Sequence, residues 1–591
     1  MAQLTTQQAF DLAMQFHQAG RLSEADRLYR QILAYQPQHA EAMHFLGVLA
    51  HQAGRNDIAV ELIHKAIGLR PNYAEAYGNL GLALKSQGRT DEAIEAYRQA
   101  IALRPQYPEA HSNLGVALTE QGQLGAAIAA FGQAIALNPN LAESHSNLGN
   151  ALRRNGQLDQ AIAAYQRALS LRPGYPEAHS NLADALRDAG RLEESIAAYH
   201  RAIALKPNYA EALSNLGNAL RANDQLDEAI AVFRRAILAR PNSAEIHSNL
   251  GVALTEKGLL DEAVVAFQQA LDLDPRFAEA HFNLPYALLA QGKFRQGWEQ
   301  YEWQWTSKDN PQYRPFAQPL WDGQRFDGRT LLLHGEQGFG DTLQFIRYLP
   351  MAGDRGGKII LEVPGSLKRL LSPIAGDCEI VASGEPLPAF DIHSALQRLP
   401  HLFDTTLANI PGQTPYLAAD AEAAQRWRDR LAEHHHAVKI GLAWAGNPAH
   451  INDRRRSMAP ANLAPLGKVA SARFFSLQKN DASSRLGPTP NELELVDWTH
   501  ELNDFADTAA LIANLDLVLS VDTSVVHLAG AMGKPVWTLL PFAADWRWLT
   551  DREDSPWYPS MRLFRQTRRG DWESVVGRVA DELSRWVASR A

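Results

Sequence analysis

Cysteine is nearly missing: Cys378 stands alone among 591 residues, so no disulfide can close within the chain and a reducing compartment is its natural setting. No uninterrupted apolar run approaches the roughly 18 to 20 residues that a membrane-crossing helix needs. Met1 to Phe10 has neither a basic start nor an apolar centre, so it does not read as a signal peptide. These features predict a cytoplasmic protein without a membrane span. Basic excess is absent too. A formal net charge of -9 argues against nucleic acid as a partner, because binding it requires a concentrated basic surface. The glycines from Gly335 to Asp341 stand in the wrong order for a dinucleotide fingerprint, and no Walker lysine follows a glycine-rich loop. No Asp-x-Asp pair closes a strand to hold a metal. Redox and nucleotide-hydrolysis classes therefore rank low, and no metal or cofactor is expected.

What the chain has in abundance is repetition. Prolines at 37, 71, 105, 139, 173, 207, 241 and 275 follow one another by 34 residues, the tetratricopeptide period. Eight full units are predicted from about Thr6 to Phe277, with a ninth from Ala278 that degrades at Pro285 and Gly297. Leu and a small residue stand together in each first helix, as in Leu80-Gly81, Leu114-Gly115, Leu148-Gly149, Leu182-Ala183, Leu216-Gly217 and Leu250-Gly251. Glycine inside a helix costs about 1 kcal/mol against alanine, so a close helix crossing, filled by Tyr97 or Phe131, is expected there. Such arrays bury their apolar faces only by stacking, and the stack curls around a concave groove suited to another protein. Asn79, Asn113, Asn147, Asn181, Asn215, Asn249 and Asn283 recur at one position of the first helix. A ladder of amides both donates and accepts, and so can grip an extended peptide backbone; the same asparagines could instead bridge neighbouring helices. His111, His145, His179, His247 and His281 recur too, one per unit, too far apart to chelate a metal and so read as packing.

After Tyr301 the helical period breaks in a connector rich in proline and tryptophan, and from Thr330 strands alternate with helices. Strands are expected at Leu331–His334, Lys358–Val363, Phe390–His393, Lys439–Trp444, Arg473–Leu477, Leu517–Ser520 and Pro535–Leu540. Helices are expected at Asp341–Leu349, Ala421–Ala432, Ala461–Ala470, Asp507–Asn514 and Asp571–Ala588. The stretch from Leu517 to Leu540 reads as one βαβ unit. Its turn Val521-Asp522-Thr523-Ser524 falls beyond the carboxyl end of a strand and opens a helix, the place where open α/β sheets bind anions.

VDTSVVHLAGAMGKPVW resembles the Asp-Thr-Gly, His, Gly-Lys-Pro signature of heptosyltransferases, glycosyltransferase family 9, with Ser524 where the family usually has glycine. LLLHGEQGFGDTLQFIRYLP resembles that family's first turn. The repeat half resembles that of protein O-linked N-acetylglucosamine transferase, whose asparagine ladder holds peptide; the whole looks like bacterial protein glycosyltransferases that modify flagellin. The resemblance implies an α-solenoid followed by a GT-B-like α/β region with two nucleotide-type parallel sheets. The expected divisions are repeats at 1–305, a connector at 306–328, an acceptor-side domain at 329–432, a nucleotide-sugar domain at 433–570 and a closing helix at 571–591.

It also implies an inverting, metal-independent transfer of a hexosyl, heptosyl or nonulosonyl group from a nucleotide sugar, the co-substrate, to Ser or Thr of a protein in the repeat groove. Asp341 is the candidate general base, or else a helix cap. Asp522, Thr523, Ser524 and His527 are the candidate donor contacts, with His527 also readable as a core histidine. Gly446, Asn447 and the loop Asn452 to Ser457, above all Arg456, would reach the leaving phosphate, with Gln478 and Lys479 as further nucleotide contacts. Trp546, Arg547, Trp548, Trp557 and Tyr558 wall the donor pocket or pack the connector. Two other functions stay open: an adaptor whose transferase half has lost its chemistry, and a lipopolysaccharide glycosyltransferase. Sugar, acceptor and oligomeric state stay open as well.

Overall fold

The computed structural model describes residues 5–308, 310, 313–335, 338–449, 453–479 and 486–590. The chain divides into two compact units, Met1–Pro241 and Asn242–Ala591.

In the first unit seven helix pairs follow one another, from Thr6–Gln18 with Leu22–Tyr35 to Ala210–Ala222 with Leu226–Ala239. The turn inside each pair needs a left-handed residue. Gly88 and Gly122 supply it at φ 75° and 77°, and Asp224 takes the same conformation at φ 65° where glycine is missing. A Cβ on Gly81 would stand 2.5 Å from the ring of Tyr97, and one on Gly115 2.7 Å from that of Phe131. The small residue beside each conserved-spacing leucine is therefore a packing requirement: the ring of the second helix occupies the volume a side chain would need. The histidines are staples. His111, His145 and His179 set Nε2 at 3.1, 3.0 and 3.0 Å from the carbonyl oxygens of Pro105, Pro139 and Pro173, tying each inter-repeat turn to the helix that follows. From Ala40–Gln52 onward, each first helix also touches the first helix of the next pair, so first helices line the inner side of this stack.

The second unit opens with two more pairs, Ala244–Lys257 with Leu260–Leu273 and Ala278–Ala290 with Phe294–Tyr301. The ninth pair departs from the pattern where expected, with Pro285 inside its first helix and only eight residues in its second. Its aromatic face is turned to the α/β region: Trp298 meets Trp546 edge-on at 5.2 Å, Phe294 stacks on Trp557 at 6.0 Å, and Trp298 Nε1 donates to the Thr405 carbonyl at 3.0 Å. The connector is pinned in the same way. Arg398 Nε donates to both Glu302 carboxylate oxygens at 2.6 and 2.8 Å, and its guanidinium also reaches the Trp321 carbonyl.

Two all-parallel sheets follow. The first has the order β3-β2-β1-β4, with β1 Thr330–His334, β2 Lys358–Val363, β3 Glu379–Ala382 and β4 Ile392–Ala395. The second has the order β10-β9-β8-β5-β6-β7, with β5 Val438–Ala443, β6 Ala472–Ser476, β7 Leu495–Val496, β8 Leu517–Val521, β9 Val536–Leu540 and β10 Met561–Arg565. Parallel β8 and β9 are neighbours, which makes Leu517–Leu540 the βαβ unit its pattern predicts. Three strands lie outside the expected set, β3, β7 and β10, all at sheet edges and two of them very short. The helix expected at Ala461–Ala470 is instead a 3-10 stretch, Pro460–Lys468, with Pro465 inside it unable to donate an α-type hydrogen bond. The helix expected over Asp341–Leu349 begins at Phe339 and tightens into a 3-10 turn after Phe345. The C-terminal helix Trp572–Ala588 is capped by the Asp571 carboxylate, which accepts from Ser574 N at 3.0 Å, and buries Val575, Val579 and Leu583 beneath the second sheet. Among the described residues no helix is long and apolar enough to cross a membrane.

Gly115→Leu, which forces a side chain into the Phe131 ring, is expected to cost about 1–3 kcal/mol. Ala183→Gly, at the equivalent position against Tyr199, is expected to cost about 1 kcal/mol through helix propensity alone. Unfolding followed by circular dichroism checks both; a Gly115→Leu variant no less stable than wild type would contradict the crossing geometry.

Candidate functional site

The βαβ turn is built by its own short side chains. Thr523 caps the helix Ser524–Ala531, its hydroxyl accepting from Val525 N at 3.3 Å and lying 3.2 Å from Ser520 Oγ. Thr523 and Ser524 stay half-buried at the turn, whereas Asp522 is turned inward and accepts from Trp548 Nε1 at 2.9 Å. The helix Phe339–Phe345, which follows β1 of the first sheet, packs against Ser524–Ala531. Their closest approach is at Gly340, where a Cβ would fall 2.8 Å from His527 Cδ2. Only glycine lets the two helices meet there.

Arg547 joins the two sheets. Its Nε donates to Gln344 Oε1 at 2.7 Å, Nη1 to Asp545 Oδ1 at 2.8 Å and Nη2 to Asp341 Oδ1. Asp341 thus has an anchor on each oxygen, since its Oδ2 accepts from Gly338 N at 3.1 Å. The cap reading of Asp341 is realised, and the cap also places the carboxylate where the sheets meet. Burial pushes the Asp341 pKa up; Arg547 opposes this and Asp545 adds to it. Asp522 is pushed up to about 6, first by burial and then by Asp545, against the pull of Trp548, Arg456 and Arg547. His527 is driven well below its usual range by burial and by Arg547, Arg347 and Arg456, and so is neutral. Its Nδ1 lies 2.9 Å from the Tyr558 hydroxyl and its ring stacks on Trp548. The core reading of His527 is the one realised: it lies buried beneath the turn.

At the carboxyl end of β5, Gly446 N donates to Ser457 Oγ at 2.9 Å, and that hydroxyl donates in turn to Asp453 Oδ1 at 2.9 Å. The Arg456 guanidinium lies against Gly446, where a Cβ would stand 2.8 Å from Nε. Asn447 is exposed and closes its own turn by accepting from Ala449 N at 3.0 Å. Asn452, expected in this loop, lies outside the described residues. Gln478, buried, accepts through Oε1 from Trp444 N and Ala445 N at 3.0 and 2.9 Å and donates through Nε2 to the Ala445 carbonyl, while Lys479, exposed, donates to the carbonyls of Thr499 and Leu502. The tryptophans divide between two tasks: Trp548 belongs to the turn, whereas Trp546 and Trp557 pack against the ninth repeat. His434 is half-buried edge-on to Phe475.

The asparagine ladder is also divided. Asn79 Nδ2 lies 2.9 Å from His44 Nε2, Asn215 Nδ2 donates to Asp184 Oδ1 at 3.2 Å, and Asn283 Nδ2 donates to its own helix at Glu279 O. Asn113, Asn147, Asn181 and Asn249 are half-buried at the same position. Asn147 lines a hollow of about 320 Å³ with Thr119, Asn150, Arg153 and Arg154.

Sequence reasoning did not single out Asp545, Gln344 or Ser457, and it read Arg547 only as part of an aromatic wall. Asp545-Trp546-Arg547-Trp548 offered a signal, a charged pair set between tryptophans beyond the last strand of the βαβ unit, but nothing local pairs it with residues 206 positions away.

With this geometry in place, comparison with known proteins agrees in outline. A tetratricopeptide-repeat model matches residues 10–74, a model of the C-terminal domain of cilia and flagella-associated protein 70 matches residues 48–283, and glycosyltransferase family 9 (heptosyltransferase) matches residues 501–562. The chain joins tetratricopeptide repeats to a C-terminal domain like that of the family 9 heptosyltransferases. It is 30% identical over 326 residues to protein FlbA of Caulobacter vibrioides, covering 51% of this chain and 54% of that one, so it spans about half the length of this curated relative. Among solved structures it is similar to the APC/C hetero-tetramer Cut9-Hcn1 (20% identity, 47% of this chain and 55% of that one, TM-score 0.36) and to MamA (28%, 27% and 94%, TM-score 0.26). The family 9 match suggests glycosyltransferase activity. The repeats suggest protein binding.

Because the folded state holds the Asp522 proton more tightly than the unfolded chain, whose carboxyl titrates near 3.9, ionisation of Asp522 opposes folding. Its favourable contribution is present at low pH and is lost as pH rises through about 6. Asp522→Asn, which keeps an acceptor for Trp548, is therefore expected to raise the melting temperature by about 2–6 °C at pH 7.5 and by about half as much at pH 5. Equal shifts at both pH values would contradict the burial of this carboxylate.

Proposed function

We propose that this chain is an inverting glycosyltransferase that moves a sugar from a nucleotide-sugar donor to a Ser or Thr hydroxyl of a protein held by its repeats. Flagellin is the acceptor to test first. The observation that carries the proposal is the pairing of Asp341, on the first sheet's side, with the buried Arg547 beyond the second sheet, beside the turn where Asp522 accepts from Trp548. The accessible turn at Thr523 and Ser524 and the arginine of the β5 loop lie on the donor side.

In this reading the donor's diphosphate rests near Thr523, Ser524 and the backbone at Gly446, with Arg456 offsetting the charge that grows on the leaving phosphate, the part a metal plays in other transferases. The acceptor hydroxyl attacks the anomeric carbon from the face opposite the nucleotide. As the new C–O bond forms, the bond to phosphate breaks, the nucleoside diphosphate leaves with that electron pair, and Asp341 takes the hydroxyl proton. One displacement inverts the anomeric configuration. Burial keeps Asp341 more basic than an exposed aspartate, and the capping bond to Gly338 fixes its orientation. On the protein side, the inner-facing amides of Asn113, Asn147, Asn181 and Asn249 suit a peptide backbone.

Incubation with nucleotide sugar and acceptor protein is expected to add one sugar mass. Asp341→Asn should lower the rate by about 10²–10⁴-fold with melting little changed, since Asp545 still neutralises Arg547. Undiminished transfer in the variant would remove the base assignment. A second reading, a non-catalytic adaptor, draws on the mutual neutralisation of Asp341 and Arg547; failure of every nucleotide and nucleotide sugar to bind in calorimetry would favour it. Transfer to a glycolipid with none to protein would make the chain a lipopolysaccharide enzyme.

A further inference from the structure

We propose that Glu256, on the first helix of the eighth repeat, is a positioning residue for the donor loop, so that the repeats directly set how Arg456 is presented; this rests on the donor site proposed above. Glu256 lies in the last turn of the helix Ala244–Lys257 and is 7% exposed. A carboxylate is poorly placed at a helix C-terminus, where the helix dipole favours cations, and burying it there is costly unless cations meet it. They do. Glu256 Oε1 lies 2.7 Å from Arg455 Nη1, in the loop beyond β5, and Oε2 lies 3.6 Å from Arg569 Nη2, in the loop between β10 and the C-terminal helix. One repeat carboxylate thus gathers two loops from the carboxyl edge of the second sheet.

The equivalent positions of earlier repeats lack this arrangement: Ala222, Asp188, Arg154 and Glu120 stand 34, 68, 102 and 136 residues before it, and both Asp188 and Glu120 are exposed. A feature that the repeat fold itself required would recur with the repeat; this one does not.

The consequence falls on the neighbouring residue. Arg456 follows Arg455 in a one-turn helix, Asp453–Arg456, and lies against Gly446 with its charge felt by Asp522 and His527. Holding Arg455 from the repeat side fixes the one-turn helix that carries Arg456, whose guanidinium pairs with Asp453 at 3.7 Å and lies against Gly446. Glu256 touches no substrate in this proposal; it acts through Arg455.

The test compares the full-length wild type with Glu256→Gln by two measurements. Hydrogen exchange without ligand reads the positioning: amides of 453–458 and 566–571 are expected to exchange at least fivefold faster in the variant, while those of the first repeats do not change. Calorimetry with UDP, GDP, CDP, ADP and TDP reads the consequence: whichever binds the wild type best is expected to bind the variant about tenfold more weakly, and Glu256→Gln/Arg455→Gln no more weakly than the single variant. Unchanged exchange overturns the proposal whatever the nucleotide result. Faster exchange with unchanged affinity overturns the link between Glu256 and the donor site. If no nucleotide binds the wild type, the donor site itself falls, and exchange alone then decides whether Glu256 holds the loops.

Discussion

A buried guanidinium, that of Arg547, ties the two sheets together. Arg547 reaches Gln344 and Asp341 in the first helix of one sheet and Asp545 beside the last strand-end turn of the other. Removing one partner of a buried charge cluster is severe, about 3–5 kcal/mol, because it leaves an uncompensated charge inside the protein. Two carboxylates sharing one cation make the cluster tolerant of losing either, and they leave negative charge in excess around it. That excess, together with burial, raises the pKa of Asp522, so the protonation states of both strand-end carboxylates depend on Arg547.

Around this tie the structure separates support from contact. Trp546, Trp557, Phe294 and Trp298 form an apolar dock between the ninth repeat and the α/β region. Gln478 braces the β5 loop from beneath. His527, Tyr558 and Trp548 fill the space under the turn. What remains partly open is small: Thr523, Ser524 and the Arg456 guanidinium, which is itself paired with the buried Asp453 at 3.7 Å.

The repeats were legible in the sequence because each unit states its constraints locally: a proline after the second helix, a left-handed glycine in the turn, and a small residue opposite a ring. The central strands were legible for a similar reason, since buried parallel strands read as short apolar runs. Edge strands β3, β7 and β10 were not, because only one neighbour needs to be satisfied and the apolar signal is short. At the site, local motifs disclosed Asp341, Asp522 and the arginine loop as candidates. They could not disclose which side chains are already engaged. Gln478 and Lys479 carry hydrogen bonds to neighbouring backbone that their motif does not announce, while Arg547, read only as part of an aromatic wall, bonds to Gln344, Asp341 and the unremarked Asp545. The asparagine ladder posed the same difficulty, as Asn79 and Asn215 bridge helices while Asn147 faces a hollow.

Hydrogen exchange of the full-length protein across a panel of nucleotide sugars would probe most directly whether phosphate docks between the β5 loop and the β8 turn. Slowed exchange confined to amides around 446 and 524–526, for at least one donor, is the predicted outcome. Slowing that fell only on the loops of the first sheet or on the repeats, with those amides unaffected by every donor, would contradict it.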